Sequence, residues 1–347
     1  MNDVLKYIGK RLTEFVVSIL CLAFVIFSLL YLAPGDPARS LVGTKKATPE
    51  LLAAIRDAYG LDDPFFVQFG HWVQGALHFD FGTSIRTGAP VIDYVAPHAQ
   101  VTFELVFIAL VLSVILGILF GVISAKGRGK LRDDVILNVS LVGTSAPSFA
   151  IGLFVLYVFA LKFGWFPIYG IGEGFADRLW HLALPAACLT FAVSALLIKI
   201  TRSALLPEIE KDYTTFMRAR AIPARAITAA QVRNASAPIL TSAGLVLANL
   251  LGGTVLVESV FSIPGLGNLL ASAVTFHDVP VVQFIALMLA FIVCLASAVV
   301  DILAYVIDPT SRRRRTLHSR VSIDDNNNPP GPRLHEADQN TTEDYVS

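Results

Sequence analysis

Long apolar runs alternate with short polar segments along most of this chain. Six runs have the length and composition of helices that cross a hydrocarbon layer of about 30 Å at roughly 1.5 Å per residue. They cover residues 12–33, 101–125, 135–163, 181–201, 239–261 and 281–307. The pattern therefore predicts an all-α integral membrane protein with six transmembrane helices.

Some of these runs contain residues that bend a helix or permit close packing. Pro147 lies inside the third run and removes a backbone donor, so we expect a kink there. Gly117 and Gly121 form a GxxxG pattern in the second run, which either allows another helix to approach closely or is incidental. The fifth run is rich in small residues around Asn249, Gly252 and Gly253, which is typical of tight packing or a pore-facing side. The segment 262–280 is too polar and too short to cross again, and its amphipathic part, 266–274, is expected at the surface or re-entering.

The segment between the first two runs, residues 34–100, has the composition of a subdomain outside the membrane. Thr48 is placed to cap a helix that begins with Pro49 and stops at Gly60. A second amphipathic helix follows, and an apolar face of this kind packs on the spans or lies in the membrane interface. That face consists of Phe65, Phe69, Trp72, Val73 and Ala76.

Lysine and arginine are unevenly distributed, although the 27 basic and 27 acidic residues cancel. They concentrate before the first run, between the second and third, between the fourth and fifth, and after the sixth. By the positive-inside rule, both termini are cytoplasmic and the segment 34–100 faces outside. We therefore expect a multi-pass protein of the plasma (inner) membrane. Its regions are a lead-in with the first span (1–33), the external subdomain (34–100), a five-span core (101–310), and a basic anchor with a disordered cytoplasmic tail (311–347).

Composition and motifs exclude several functions. With 54% hydrophobic and 16% charged residues, the chain is too apolar for a soluble domain of this length. No GxxxxGK[ST] phosphate-binding motif and no catalytic constellation occurs, so we expect no enzymatic activity in this chain. No histidine or cysteine spacing fits a metal site, and the arginine run after the last span is a topology anchor rather than a nucleic-acid site. Ionisable residues are nearly absent from the middle of the runs, which disfavours a proton-driven carrier. If ATP drives transport, the ATPase is another chain.

The segment 208–238 is a charged interlude between two of the apolar runs. It contains Ile209, Tyr213, Phe216 and Met217 at positions i, i+4, i+7 and i+8, which predicts one apolar stripe on a helix. The basic residues of this segment lie away from the stripe. The stripe therefore indicates a surface for a partner protein, with a solvated cytoplasmic helix as the alternative.

The same segment contains, in order, Asp212-Tyr213, Arg218-Ala219-Arg220-Ala221, Arg233-Asn234-Ala235 and Pro238. With these residues it resembles the cytoplasmic EAA-type loop of permease subunits in ATP-binding-cassette importers. Further matching stretches are 32–37, 59–64, 82–88, 258–267 and 300–309, so the resemblance extends over residues 5–310. The most similar branch is the first permease subunit of the dipeptide, oligopeptide and nickel importers.

The resemblance implies a type I importer permease fold with the loop 202–238 seating a short coupling helix in a groove of an ATPase. Expected partners are a homologous second permease, two ATPase subunits that carry ATP and magnesium, an external solute-binding protein and the lipid bilayer. No cofactor in this chain and no nucleic-acid partner are implied. Peptides are the first choice of substrate, and nickel or its chelate is the runner-up. A proton-driven peptide carrier and a scaffold or sensor subunit are the alternatives from other classes.

Two sets of site residues follow from the resemblance. The ATPase-coupling set is Ile209, Tyr213, Phe216, Met217, Arg218, Ala219, Arg220, Ala221, Arg233 and Asn234. Kinked or discontinuous elements are expected to gate the pathway, and the candidates are Pro147, Asn249, Gly252, Gly253, Glu258, Phe261, Pro264 and Gly265.

The loop departs from the importer pattern at two places. Ala221 stands where the family usually has glycine, and Ala230 or Gln231 falls where it often has histidine. Ala221 is therefore expected either to be held at positive φ, at a cost of about 1 kcal/mol or more, or to leave the turn to Ile222-Pro223.

Overall fold

The structure is a computed structural model that describes residues 2–31, 48–58 and 62–307. The tail 311–347 and the whole of the matching stretch 32–37 lie outside the described residues. The described α-helices are α1 (Asn2–Tyr31), α2 (Pro49–Ala58), α3 (Phe65–Leu77), α4 (Val91–Lys126), α5 (Leu131–Ser145), α6 (Ser148–Val155), α7 (Gly174–Glu210), α8 (Asp212–Ala219), α9 (Ala224–Asn234), α10 (Ser236–Val260), α11 (Leu266–Thr275) and α12 (Val279–Ile307). A π-helical segment, Leu156–Lys162, continues α6.

Five described helices, α1, α4, α7, α10 and α12, are long and apolar enough to cross a membrane. The predicted third span is a pair of helices, α5 and the α6 segment, bent by 106° at Ala146-Pro147, and it makes a sixth span if the pair counts as one. The kink expected at Pro147 is therefore confirmed. Several helices are longer than the apolar runs: α4 begins at Val91 rather than at residue 101, because polar residues extend a helix beyond the hydrocarbon without interrupting it.

The packing of α4 against α7 forms the centre of the molecule. A Cβ placed at Gly117 would lie 2.7 Å from the Cβ of Leu197, and one placed at Gly121 would lie 2.5 Å from the Cβ of Thr201. Only glycine permits this approach, so the GxxxG pattern has a packing role. Residues of α4, α7 and α10 form the largest buried cluster, which includes Leu105, Leu189 and Leu250 at its centre.

Both helices predicted for the segment 34–100 are confirmed as α2 and α3. The aromatic side chains of α3 pack on α1: Phe65 and Phe69 lie 5.7 Å and 5.5 Å from the ring of Phe24, and Trp72 lies 5.7 Å from Phe27. These edge-to-face and tilted contacts fix α3 along the C-terminal half of α1.

The stretch 82–88 is held against the end of α11 by a buried carboxylate. Asp278 is 2% exposed and accepts hydrogen bonds from the Ser84 hydroxyl and from the backbone amide of Ile85, the latter at 3.1 Å. The Arg86 guanidinium lies 4.1 Å above the ring of Phe276. These contacts join the segment before α4 to the segment between α11 and α12.

Candidate functional site

The segment 208–238 folds as separate helices rather than as one amphipathic helix. α7 ends at Glu210, and Lys211 is extended, with φ −66° and ψ 147°, before α8 begins. The predicted four-residue stripe on a single helix is therefore wrong, because helical spacing assumes an unbroken helix across Lys211. Its members divide between Ile209 on α7 and Tyr213, Phe216 and Met217 on α8.

α8 turns one side toward the rest of the chain and the other toward solvent. Thr214 is fully buried, whereas Tyr213 and Met217 are half-buried. Phe216 is 59% exposed, and the Arg220 guanidinium lies 4.6 Å above the centre of its ring. The exposed apolar surface of α8 is therefore Phe216 with its stacked arginine, and not the whole of the predicted stripe.

A buried carboxylate at the end of α7 holds α8 in this orientation. Glu208 accepts hydrogen bonds from the Tyr213 hydroxyl, at 2.9 Å, and from the Lys211 ammonium. Its backbone carbonyl accepts from the Thr214 hydroxyl at 2.8 Å, and Asn234 reaches the same carboxylate from α9. Burial raises the pKa of Tyr213, and the hydrogen bond to Glu208 raises it further. Polar contacts thus fix the first turn of α8 to α7 and α9.

Gln231 is one of the two residues, with Ala230, that fall where the importer loop often has histidine. It is 2% exposed, and its Nε2 donates to the Thr214 hydroxyl at 3.3 Å. The amide supplies a donor at this buried position at any pH, whereas a histidine supplies one only in the right tautomer or charge state. Among the other predicted coupling residues, Arg218, Ala219 and Arg233 are exposed.

Ala221, which stands where the importer loop usually has glycine, ends α8. Its φ is +56°, in the left-handed region, so the turn stays at Ala221 and does not move to Ile222-Pro223. The Ile222 amide donates to the Met217 carbonyl at 3.1 Å, and the Ala221 amide donates to the Arg218 carbonyl at 2.9 Å. These two hydrogen bonds form a Schellman cap with alanine at the position that favours glycine.

We expect Ala221→Gly to stabilise the end of α8 by about 1 kcal/mol, because glycine adopts positive φ without the Cβ clash. Amide hydrogen exchange measured by mass spectrometry should show about fivefold slower exchange of the α8 C-terminal amides. Ala219→Gly, two residues earlier within the helix, is the matched control and should cost about 1 kcal/mol. Faster exchange in both variants would contradict the left-handed assignment.

A buried ion pair joins α5 to α7 near the same end of the molecule. Asp133 is 2% exposed and accepts from Nε and Nη2 of Arg202 at 2.9 Å and 2.8 Å. The Ser124 hydroxyl, at the end of α4, donates to the same carboxylate. No pattern in the sequence singled out this pair, since Asp133 appears there only as one acid in a basic turn. The end of α4, the first turn of α5 and the body of α7 are fixed to one another here.

A cleft of about 650 Å³ opens where the bend at Pro147 faces α7 and α10. Asn249, Gly252 and Gly253 line it from α10, and Ala146 and Ser148, on either side of Pro147, line it from the bend. The remaining lining residues are Gly143, Thr144, Leu189, Ala192, Val193, Leu196, Ala248 and Leu256. The structure therefore brings three of the eight predicted gate candidates together at one uncharged cleft, and a fourth, Pro147, lies between two of its lining residues.

The other gate candidates lie away from the cleft, in the last turn of α10 and in the connection from α10 to α11. They are Glu258, Phe261, Pro264 and Gly265. Glu258 is fully buried and accepts from the Thr102 hydroxyl at 2.6 Å and from the amides of Gly267 and Asn268 at 2.8 Å and 3.2 Å. A Cβ at Gly265 would overlap with the Glu258 carboxyl group. These residues hold the first turn of α11 against α10 and α4.

The structure combines apolar helices of membrane-spanning length with an uncharged cleft between them and two short helices at one end. These features are those of an α-helical, multi-pass membrane permease. The chain belongs to the family of binding-protein-dependent transport system inner membrane components, which matches residues 117–313. The N-terminal membrane component of the same transport systems matches residues 4–117. The predicted type I fold and the resemblance to importer permeases of the ATP-binding-cassette class are confirmed.

Relatives cover almost the whole chain. The probable peptide ABC transporter permease protein y4tP of Sinorhizobium fredii is 36% identical, over 88% of this chain and 99% of the relative. The glutathione transport system permease protein GsiC of Shigella flexneri is 34% identical, over 89% of this chain and 99% of the relative. GsiC of Escherichia coli strain K12 gives the same identity and coverage.

Proposed function

We propose that this chain is one of two permease subunits of an importer that carries short peptides across the plasma (inner) membrane at the expense of ATP. The observation that carries the proposal is the exposed pair Phe216 and Arg220 on a short helix that Glu208 fixes to α7. α7 also lines the cleft, so one continuous helix connects the exposed pair with the pathway. The end with α8 and α9 then faces the cytoplasm, as do both termini.

The partners follow from this arrangement. A homologous permease completes the pathway, an external binding protein delivers the solute, and two ATPase subunits carry ATP and magnesium. The chain itself performs no catalysis. An aromatic side chain with a stacked arginine suits a groove on each ATPase, because such anchors supply much of the binding energy at interfaces.

The cleft supports peptides over nickel as the substrate. Its polar lining groups are the hydroxyls of Thr144 and Ser148 and the amide of Asn249, and its lining residues include no histidine, cysteine or carboxylate. Hydroxyl and amide groups pair with a peptide backbone, whereas nickel prefers imidazole and other strong donor ligands. The relatives named for peptide and glutathione transport support the same choice.

Transport follows an alternating-access cycle in this proposal. ATP binding closes the two ATPases and moves α8, and α7 carries the movement to the cleft at the Pro147 bend. The cleft then changes from an inward-open to an outward-open form. Weak contacts with the solute allow release, because the external binding protein has already selected it.

Replacing Phe216 and Arg220 with aspartate tests the proposal in vesicles that contain all partners. Loss of a central aromatic and arginine anchor should reduce hydrolysis stimulated by the binding protein by roughly 30-fold or more. Lys130→Asp, an exposed charge reversal at the same end of the molecule, is the control and should leave stimulation unchanged. Normal stimulation in the double variant would refute the coupling role. Uptake abolished by an uncoupler but not by ATP depletion would identify a proton-driven carrier instead, and no accumulation in wild-type vesicles would identify a scaffold.

A further inference from the structure

A basic pocket lies on the side of α8 opposite Phe216. Its volume is about 370 Å³, and residues from the ends of α4 and α7 and from α8 and α9 line it. Three cationic side chains, those of Lys126, Arg128 and Arg218, converge on it. Arg218 is two residues from Phe216, so the two side chains point about 200° apart around the helix. A protein seated on Phe216 therefore does not fill this pocket.

The positive charges in the pocket exceed the negative charges available to them. Glu210 is the one carboxylate among the lining residues, and it pairs with Arg128 at 2.6 Å. Lys126 donates to the Thr228 hydroxyl rather than to a carboxylate, and both Arg132 and Arg218 lie close enough to repel its ammonium. Within residues 2–31, 48–58 and 62–307, no carboxylate forms an ion pair with Lys126 or Arg218. Like charges held together in this way are stabilised by a bound anion.

The position of the pocket identifies the kind of anion. Lys126 directly follows the apolar run that ends at Ala125, and a basic residue that directly follows a span is expected at the depth of the lipid headgroups. Leu206, Ile209 and Ile227 form an apolar wall beside the basic groups. A phosphate joined to an acyl-bearing glycerol matches both surfaces, and basic pockets between helices on the cytoplasmic side suit acidic headgroups.

We propose that the pocket between α4, α7, α8 and α9 binds the phosphate of an acidic phospholipid of the cytoplasmic leaflet. Lys126 and Arg218 contact the phosphate, and Thr228 and Gln231 provide polar groups beside it. The proposal rests on the orientation proposed above, in which this end of the protein faces the cytoplasm. In this proposal Ile209, which lies on α7 and not on the same helix as Phe216, forms part of the apolar wall of the lipid site.

Native mass spectrometry of the full chain tests the proposal, after its release from nanodiscs of equimolar phosphatidylcholine and phosphatidylglycerol. We expect wild-type protein to retain phosphatidylglycerol in preference to phosphatidylcholine. The double variant Lys126→Gln, Arg218→Gln should retain it roughly 30-fold less, since each basic group contributes about a fivefold factor at an anionic surface. Lys130→Gln, Arg225→Gln removes two exposed charges outside the pocket and is the matched control. Equal retention in the two double variants would overturn the proposal.

A second pair of variants keeps every charge and tests only the volume available in the pocket. Ala224 lines the pocket and is exposed, so Ala224→Trp should exclude the headgroup, whereas Ala226→Trp on the same helix lies outside the lining and should not. Displacement of the lipid by excess inorganic phosphate would overturn the lipid as the source and indicate a free-anion site. The Lys126→Gln, Arg218→Gln variant could instead lose the ATPases from the assembled complex while its lipid retention stays unchanged. That result would assign the pocket to an acidic group of the ATPase. Failure of wild-type transport would refute the proposed function but would not alter the lipid measurement.

Discussion

Replacing Arg202 with methionine is expected to lower the free energy of unfolding by about 3 kcal/mol. The variant leaves the Asp133 carboxylate, whose side chain is 3% exposed, with the Ser124 hydroxyl as its remaining side-chain donor. This expected loss of unfolding free energy is at the low end for breaking a buried ion pair, because the Arg202 side chain is itself 21% exposed. Unfolding in sodium dodecyl sulfate, followed by circular dichroism, measures the change.

Two further variants separate the ion pair from a general effect of charge. Asp133→Asn combined with Arg202→Met removes the unpaired charge and should recover part of the lost stability. Arg128→Met breaks the exposed pair with Glu210, whose side chain is 67% exposed, and should cost at most about 0.5 kcal/mol. A larger loss in Arg128→Met than in Arg202→Met would contradict the assignment.

Replacing Gly267 with alanine is expected to destabilise the protein by about 3 kcal/mol, the upper end for overpacking. The new Cβ would lie 2.9 Å from the backbone nitrogen of Val255 and would overlap with its Cα. Because the obstacle is backbone, no side chain can rotate away, and α11 must separate from α10. The Glu258 carboxylate would then lose its hydrogen bonds to the start of α11.

Gly252→Ala is the matched control for this substitution. Gly252 lies on α10, and a Cβ there meets nothing within 4 Å. Alanine should therefore stabilise the helix interior by up to about 1 kcal/mol. Thermal unfolding in detergent should show shifts of opposite sign for the two variants, and equal destabilisation would mean that close approach at Gly267 is not the cause.

The polar contacts at Glu208 and Asp133 connect α8 with the cleft in the proposed cycle. α8 is fixed to α7 at Glu208, and Arg202 on α7 is fixed to Asp133 on α5. Gly143 on α5 lines the cleft ten residues beyond Asp133, a rise of about 15 Å. Displacement of α8 therefore acts on both α7 and α5, whose far parts line the cleft at the Pro147 bend.

Local patterns in the sequence predicted most helices. The apolar runs located the spans because hydropathy depends only on neighbouring residues, and Pro147 marked the bend because it lacks a backbone donor. The full lengths of α4 and α7 could not be predicted in this way, since a helix continues into water wherever its backbone hydrogen bonds continue. The extended residue Lys211 gave no comparable signal, so the stripe from Ile209 to Met217 was assigned to one helix.

The candidate site was predicted less completely than the fold. Of the residues selected from the sequence, the structure exposes Phe216 on α8 and Arg220 directly after it, and places Asn249, Gly252 and Gly253 along the cleft. The sequence pattern also grouped Glu258 and Gly265 with the gate, although the structure packs them against each other where α10 meets the start of α11. Their roles depend on Thr102 of α4, which is 156 residues from Glu258 along the chain.

The sequence by itself determined that this is a six-run membrane protein with a polar loop suited to a partner, because both properties follow from the order of apolar and charged residues. Only the tertiary structure decided which polar residues meet: Ser84 with Asp278, which are 194 residues apart, and Asp133 with Arg202, which are 69 apart. It also decided which face of α8 remains exposed. Such contacts depend on how the helices pack, and the packing depends on close approaches such as that of Gly121 to Thr201. The GxxxG pattern marks Gly121, but no local pattern specifies Thr201 as its partner.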